Sequence, residues 1–329
     1  NRAEMDAGGE SSWSERIFPG DISSLQSAYN KRADVGEDAF FSEYQNQPRR
    51  ESANIYELTR DTVLSRLSGF RRGEIAADAN YLVVASDVNY FGLTWVALAV
   101  RNDFCGFVAD YGVWPGDGKD IVTNKASEEA EIYEALSEYL AFIRNKFDRI
   151  SALGIDGNRF TVPVQKFVLQ NRRQLPFNLW DLRGHAATNY RPLQKDSPRL
   201  IGTNRTRCHL QKSANYADVF EGLFDSYYWH VVMQKSFLVS PGGRGSTSIY
   251  GDGRASHADF ADQICADRLK DIYERGGQLR YEWQTVGRND YGDALTMAQV
   301  LANLLGVEVD GVPAARKRPP AKRRAARVG

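Results

Sequence analysis

The sequence predicts an α/β fold: a mixed sheet that opens with an antiparallel β-meander, flanking helices, and a disordered basic C-terminal tail. Three observations lead there. Between residues 81 and 111, three apolar, β-rich runs are separated only by short polar turns. Residues 127–183 then alternate helix-period and strand-like segments, the pattern of helices crossing over a sheet. After residue 313 the chain turns to Ala, Arg, Lys and Pro, which cannot bury an apolar face.

Residues 1–75 are polar and weakly periodic. Gly8-Gly9, Pro19-Gly20 and Asn46-Gln47-Pro48 punctuate them, and short helices are expected near 22–32 and 56–68. They read as a linker or wrapping segment. Strands follow at Tyr81–Asp87, Thr94–Val100 and Phe104–Tyr111, with turns at Asn89–Gly92 and Arg101–Asp103. Ser127–Phe147 is an amphipathic helix. Ile132, Leu136, Leu140, Ile143 and Phe147 recur at three- and four-residue steps, and Ser127-Glu128-Glu129 supplies a capping residue and first-turn acids. Arg149–Asp156 reads as a buried strand, Thr161–Gln170 as a helix and Asn178–Arg183 as a strand, giving the order β-β-β-α-β-α-β. Residues 185–260 read as loop-rich, with an aromatic cluster at Tyr227-Tyr228-Trp229. Asp259–Arg275 is expected as helix, Leu279–Val286 as strand and Asp290–Leu305 as the last helix. One domain over 76–312 and a tail over 313–329 result. The first residue, Asn1, leads to the expectation of a fragment or processed product.

Composition removes several function classes. A chain of 329 residues with 42% hydrophobic and 26% charged residues can bury a core, but it has no run of 18 apolar residues and hence no membrane span. Cys105, Cys208 and Cys265 are odd in number and far apart, so neither a disulfide framework nor a Cys-x-x-Cys knuckle fits, and a reducing, intracellular setting is expected. Residues 314–329 carry seven basic side chains and no acid; removing those from the 42 basic residues leaves 35 against 42 acids. A body this acidic is not a simple nucleic-acid coat. If it handles nucleic acid, cations must offset its carboxylates. Gly116-Asp117-Gly118-Lys119-Asp120 and Gly242-Gly243-Arg244-Gly245-Ser246 lack the spacing or Lys of an ATP phosphate loop, and no serine-hydrolase elbow is present.

The acids that interrupt apolar elements carry the chemistry. Asp87 ends the first strand and Asp156 ends the fourth, just before Gly157. A carboxylate beside a buried strand is costly unless paired, protonated or bound to a cation. A meander followed by a crossover helix makes the first and fourth strands neighbours. Asp293, one turn into the last helix, comes within reach if that helix packs over them. Asp290 lies three residues earlier on the same face, as a further metal ligand or as an acid favoured by the helix dipole. Converging carboxylates suit hard divalent cations, Mg²⁺ or Mn²⁺. Two such ions can drive phosphodiester cleavage.

Tyr81–Leu98, Ile150–Phe160 and Asn289-Asp290-Tyr291-Gly292-Asp293-Ala294-Leu295 resemble the nuclease half of the tailed-bacteriophage terminase large subunit. Phe40-Phe41-Ser42-Glu43-Tyr44-Gln45-Asn46-Gln47-Pro48 resembles the segment that leads from the packaging ATPase into that nuclease. The resemblance implies an RNase H-like fold and a two-metal endonuclease with Asp87, Asp156 and Asp293 as ligands. It implies cutting of concatemeric double-stranded viral DNA in the cytoplasm of an infected host cell. The implied partners are a terminase small subunit, a portal and an ATPase motor lying outside this chain. Some members place a His three residues before the last acid, where this sequence has Asp290.

The four histidines, His185, His209, His230 and His257, lack metal-ligand spacing and read mostly as structural or surface residues. Trp95, Trp114, Trp180, Trp229 and Trp283 read as packing residues. DNA-backbone contacts are expected from Arg199, Arg205, Arg207, Lys212, Lys235 and Arg244, and from the tail residues Arg316, Lys317, Arg318, Lys322, Arg323, Arg324 and Arg327. Two rival readings use the same residues: a DDE transposase or resolvase-like nuclease, and a non-catalytic packaging module that docks on DNA or a portal.

Overall fold

The computed structural model describes residues 14–35, 58–251, 253–273 and 279–309. The resembling segment at 40–48 and the basic tail lie outside them. Two compact units divide between Glu57 and Leu58. The first contains one described helix, α1 (Ser24–Val35). In the second, α2 (Arg60–Leu64) carries Val63 and Leu64 into the core beside Leu58, so residues 58–75, read as part of the leading segment, pack on the sheet unit.

The meander is β1 (Tyr81–Asn89), β2 (Gly92–Val100) and β3 (Gly106–Trp114), paired antiparallel in sequence. Helix α3 (Glu128–Lys146) crosses over to β4 (Ala152–Asp156), parallel to β1, and α4 (Thr161–Asn171) crosses to β5 (Asn178–His185), parallel to β4. These elements fall where the sequence pattern puts them, and their spatial order β3-β2-β1-β4-β5 is the RNase H-like sheet.

The segment 185–260 is a correction. It holds β6 (Leu200–Arg205), β7 (Cys208–Lys212), β8 (Phe220–Asp225), helix α5 (Ser226–Ser236) and β9 (Thr247–Ile249). The strands extend the sheet to nine, in the order β6-β7-β8-β5-β4-β1-β2-β3-β9. Residues 259–275 are a second correction. Helix α6 (Ala258–Ile264) stops early, and β10 (Asp267–Tyr273) pairs antiparallel with β11 (Leu279–Thr285) in a separate two-stranded sheet. Leu269 and Ile272, three apart, look helical in sequence; pairing with β11 decides otherwise. The chain closes its described part with α7 (Asp290–Leu304).

Strand alternation sorts the core into two faces. Leu82, Val84 and Val88 of β1 pack with Ile132, Leu136 and Phe167 of α3 and α4. Val83 and Ala85 pack on the other face with Leu295, Ala298 and Leu301 of α7. Burial on both faces explains why β1 reads as a continuous apolar run. By the same parity Asp87 projects toward α7, and so does Asp156, since Leu153 and Ile155 face α3 and α4 while Ala152 faces α7. Gly154 lets the helix approach. A Cβ there would stand 2.4 Å from Leu182 Cδ1 and 3.1 Å from Leu301 Cδ1.

Candidate metal centre

Ser86 lies opposite Ile155 in the parallel pair, so Asp87 and Asp156 are the next neighbours, on backbones about 4.8 Å apart as adjacent strands are. Asp293 reaches the same place from the first turn of α7. All three line one cavity of about 130 Å³ with Asn158, Ser226, His230 and Thr296. No Lys or Arg lines it among the described residues.

The electrostatics follow from that crowding. Burial, then the charges of Asp156, Asp293 and Asp290, push the Asp87 carboxyl well above the ordinary carboxylate range, against a 2.7 Å hydrogen bond donated by the Asn89 amide. Burial likewise raises Asp156 to about 6. The Asn158 backbone N–H, donating at 3.1 Å, opposes this, while Asp181 and Asp293 add to it. Both carboxyls are strained toward the neutral form, a condition that a cation relieves.

Asp290 sits apart from the cavity. It accepts from Asn89 Nδ2 at 3.1 Å and from Arg288 Nε at 3.0 Å. Its closest described link to the centre is therefore Asn89, which donates to both Asp87 and Asp290.

His230 corrects the reading of the histidines. Asp225 ends β8 and caps α5 at once, its carboxylate accepting from Tyr228 N at 3.1 Å, so His230 stands one turn in, at the C-terminal end of the parallel strands. Its Nε2 is 2.9 Å from Asp293 Oδ1 and 3.5 Å from Asp267 Oδ2, and its Nδ1 is 2.8 Å from the Ser226 carbonyl. Burial pulls the imidazole pKa down, but the hydrogen bond and charge of Asp293, with the charge of Asp267, outweigh it and the net shift is upward. Asp267 opens β10 and was hidden inside the expected helix. Its carboxylate accepts from Thr285 Oγ1 at 2.6 Å and Asn289 Nδ2 at 3.1 Å. The helix cap at Asp225 was the one sequence signal that could have located His230.

A groove of about 660 Å³ adjoins the cavity, lined by Tyr227, His230, Asp267, Trp283, Thr285 and Asn289 among others. Trp283 is half-buried and packs on the Tyr227 ring at 5.9 Å and the His230 ring at 5.7 Å. Trp95, Trp180 and Trp229 are buried in the core.

The basic residues divide by sheet direction. Cys208 pairs with Phe224, near the C-terminal end of β8, so the Arg205–Arg207 turn lies at the centre's end of the sheet. Arg207 is 3.8 Å from Asp225. Lys212 pairs with Phe220 at the opposite end, where Arg199 bonds the Lys212 carbonyl. Lys235 is near the C-terminal end of α5. Arg244 precedes Gly245, which bonds Asp103 in the β2–β3 turn, also at the far end. Arg316, Lys317, Arg318, Lys322, Arg323 and Arg324 lie outside the described residues.

The sheet thus gathers acids near the ends of its first and fourth strands in one polar cavity. The family can be named: the model of the terminase large subunit gpA endonuclease domain matches residues 38–316, and the chain belongs to that family. No curated protein matches the sequence. Similar solved structures include the nuclease domain of the large terminase subunit gp2 of bacterial virus Sf6 with manganese, at 11% identity over 74% of this chain and 99% of that one, TM-score 0.44. The human cytomegalovirus terminase nuclease domain, soaked with Mn, is similar at 12% identity over 76% and 96%, TM-score 0.39. The large terminase nuclease from thermophilic phage G20c follows at 11% identity over 73% and 96%, TM-score 0.33. No helix among the described residues is long and apolar enough to cross a membrane.

Proposed function

We propose that this chain is a metal-dependent endonuclease that hydrolyses phosphodiesters in concatemeric double-stranded viral DNA during genome packaging. The observation that carries the proposal is the cavity shared by Asp87, Asp156 and Asp293, which among the described residues has no Lys or Arg in its lining. The donors fit hard divalent cations, Mg²⁺ or Mn²⁺: they are carboxylate oxygens, held on two strands and a helix, with Asp87 and Asp156 both raised in pKa by burial and by the charges of neighbouring carboxylates. Bound there, such ions supply an acidified water as nucleophile and neutralise charge on the leaving oxygen.

The chain's own residues set the geometry. Asp87 and Asp156 project from adjacent parallel strands, so their spacing is fixed by the sheet. Asn89 orients Asp87, and the Asn158 N–H orients Asp156. Asp293 is oriented by His230 Nε2. The position of Arg205 and Arg207 at the same end of the sheet supports a role in meeting phosphates that flank the cut. The family context implies a terminase small subunit, a portal and a packaging ATPase as partners, acting in the cytoplasm of an infected cell.

The test is plasmid digestion with Mg²⁺ or Mn²⁺, comparing the parent with Asp87→Asn and Asp156→Asn. Each substitution is expected to slow cutting at least about 100-fold, roughly 2.7 kcal/mol of transition-state stabilisation. Equal cutting by parent and variants would overturn the assignment.

A further inference from the structure

His230, Asp293 and Ser226 line both the small cavity and the larger groove. Asp293 thus faces two spaces. One contains Asp87 and Asp156; the other contains Asp267, Thr285 and Asn289. One donor atom from each of His230, Asp267 and Asp293 lies within 4.8 Å of the others.

Resting on the nuclease reading, we infer that His230 Nε2 and Asp267 form, with Asp293, a second cation subsite on the groove side, and that Asp293 bridges it to the position held by Asp87 and Asp156. The orientation of the imidazole supports this. Nδ1 donates to the Ser226 carbonyl at 2.8 Å, which fixes the ring with Nε2 between two carboxylates; in the metal-free centre Nε2 donates to Asp293, and a cation would take the place of that proton. Ligating histidines are commonly backed by a carbonyl in this way. Asp267 is equally prepared. It is 6% exposed, fixed by Thr285 and Asn289, and paired with no Lys or Arg among the described residues. A separate observation points to a ligand in the adjoining small cavity, at the position that Asp293 shares with the subsite. Thr296 is 1% exposed and lines the cavity one turn beyond Asp293, yet its hydroxyl has no hydrogen-bond partner. A buried hydroxyl is seldom left unsatisfied, and a water held by a cation in this cavity would satisfy it.

The two positions then differ in chemistry. The Asp87–Asp156–Asp293 position offers only oxygen and takes Mg²⁺ or Mn²⁺. The subsite with a nitrogen ligand favours Mn²⁺ over Mg²⁺, because imidazole suits first-row transition ions better than Mg²⁺.

Pulsed electron paramagnetic resonance on the full chain loaded with Mn²⁺ alone reads the ligand directly. The expected result is a ¹⁴N coupling from a histidine in the parent, retained in Asp87→Asn and absent from His230→Gln. Calorimetric titration with Mn²⁺ should find two ions in the parent, one of them weakened at least about tenfold by His230→Gln or Asp267→Asn. Circular dichroism of the metal-free variants checks that they fold, and the parent spectrum needs no variant. Bound Mn²⁺ without ¹⁴N coupling in the parent would overturn the subsite and leave the nuclease reading standing. No Mn²⁺ binding by the parent would overturn both.

Discussion

Replacing Asp156 with Asn should make the metal-free protein more stable while removing a metal ligand. Asp156 is raised from 3.8 to about 6, chiefly by burial. The folded state therefore holds this proton more tightly than the unfolded chain does. The resulting stability is fully present below the unfolded pKa and is lost as pH rises through about 6. The shift corresponds to about 3 kcal/mol at 1.36 kcal/mol per pH unit, and partial exposure of the side chain screens it to about 1–3 kcal/mol. Asn keeps the acceptor used by the Asn158 N–H and carries no charge. Asp156→Asn should thus raise Tm by about 2–10 °C near pH 8 in a chelator, and by close to nothing near pH 4. Mn²⁺ should raise the Tm of the parent and have a much smaller effect on the variant. Differential scanning calorimetry at the two pH values, with chelator and with Mn²⁺, measures all of this. A variant less stable than the parent near pH 8, or a gain independent of pH, would refute the idea that burial, helped by neighbouring charges, raises the pKa.

Three further outcomes are expected. Gly157→Ala places a Cβ 1.9 Å from Asp181 Oδ1, so it should cost about 1–3 kcal/mol in urea denaturation, or more if the buried carboxylate cannot shift; an unchanged midpoint would show that β5 gives way freely. Tyr139→Phe removes the 2.6 Å partner of the Ser86 hydroxyl, buried on the strand next to Asp87, and should lower stability by about 1–3 kcal/mol by the same assay. Arg207→Ala should reduce the salt dependence of double-stranded DNA binding by about one counterion in a fluorescence anisotropy titration, whereas Lys212→Ala, at the far end of the sheet, should leave it alone. Equal effects of the two would mean that DNA does not track the centre's end.

The legible part of this molecule is the part buried on two faces. The strands at 81–87 and 149–156 stand out because burial on both faces makes them mostly apolar, and Asp87 and Asp156 stand out because they put charge near the strand ends. The last helix is legible for the same reason, which exposes Asp293. The groove side was hidden. Strand β6 is the sheet edge, where exposed positions blur the alternation, and β7 beside it has only five residues. Helix α5 begins directly from β8 with no loop, so His230 sat in a stretch without recognisable periodicity. Asp267 was masked by Leu269 and Ile272, whose helical spacing is overridden by a non-local strand pairing. Asp290 shared a helix face with Asp293 in sequence, yet Arg288 and Asn89 hold its carboxylate to one side.

Anomalous diffraction from a crystal soaked in Mn²⁺ tests the metal centre most directly. The expected result is manganese density in contact with Asp87, Asp156 and Asp293 together. Manganese bound elsewhere, with those three carboxylates bridged only by protons or water, would contradict it.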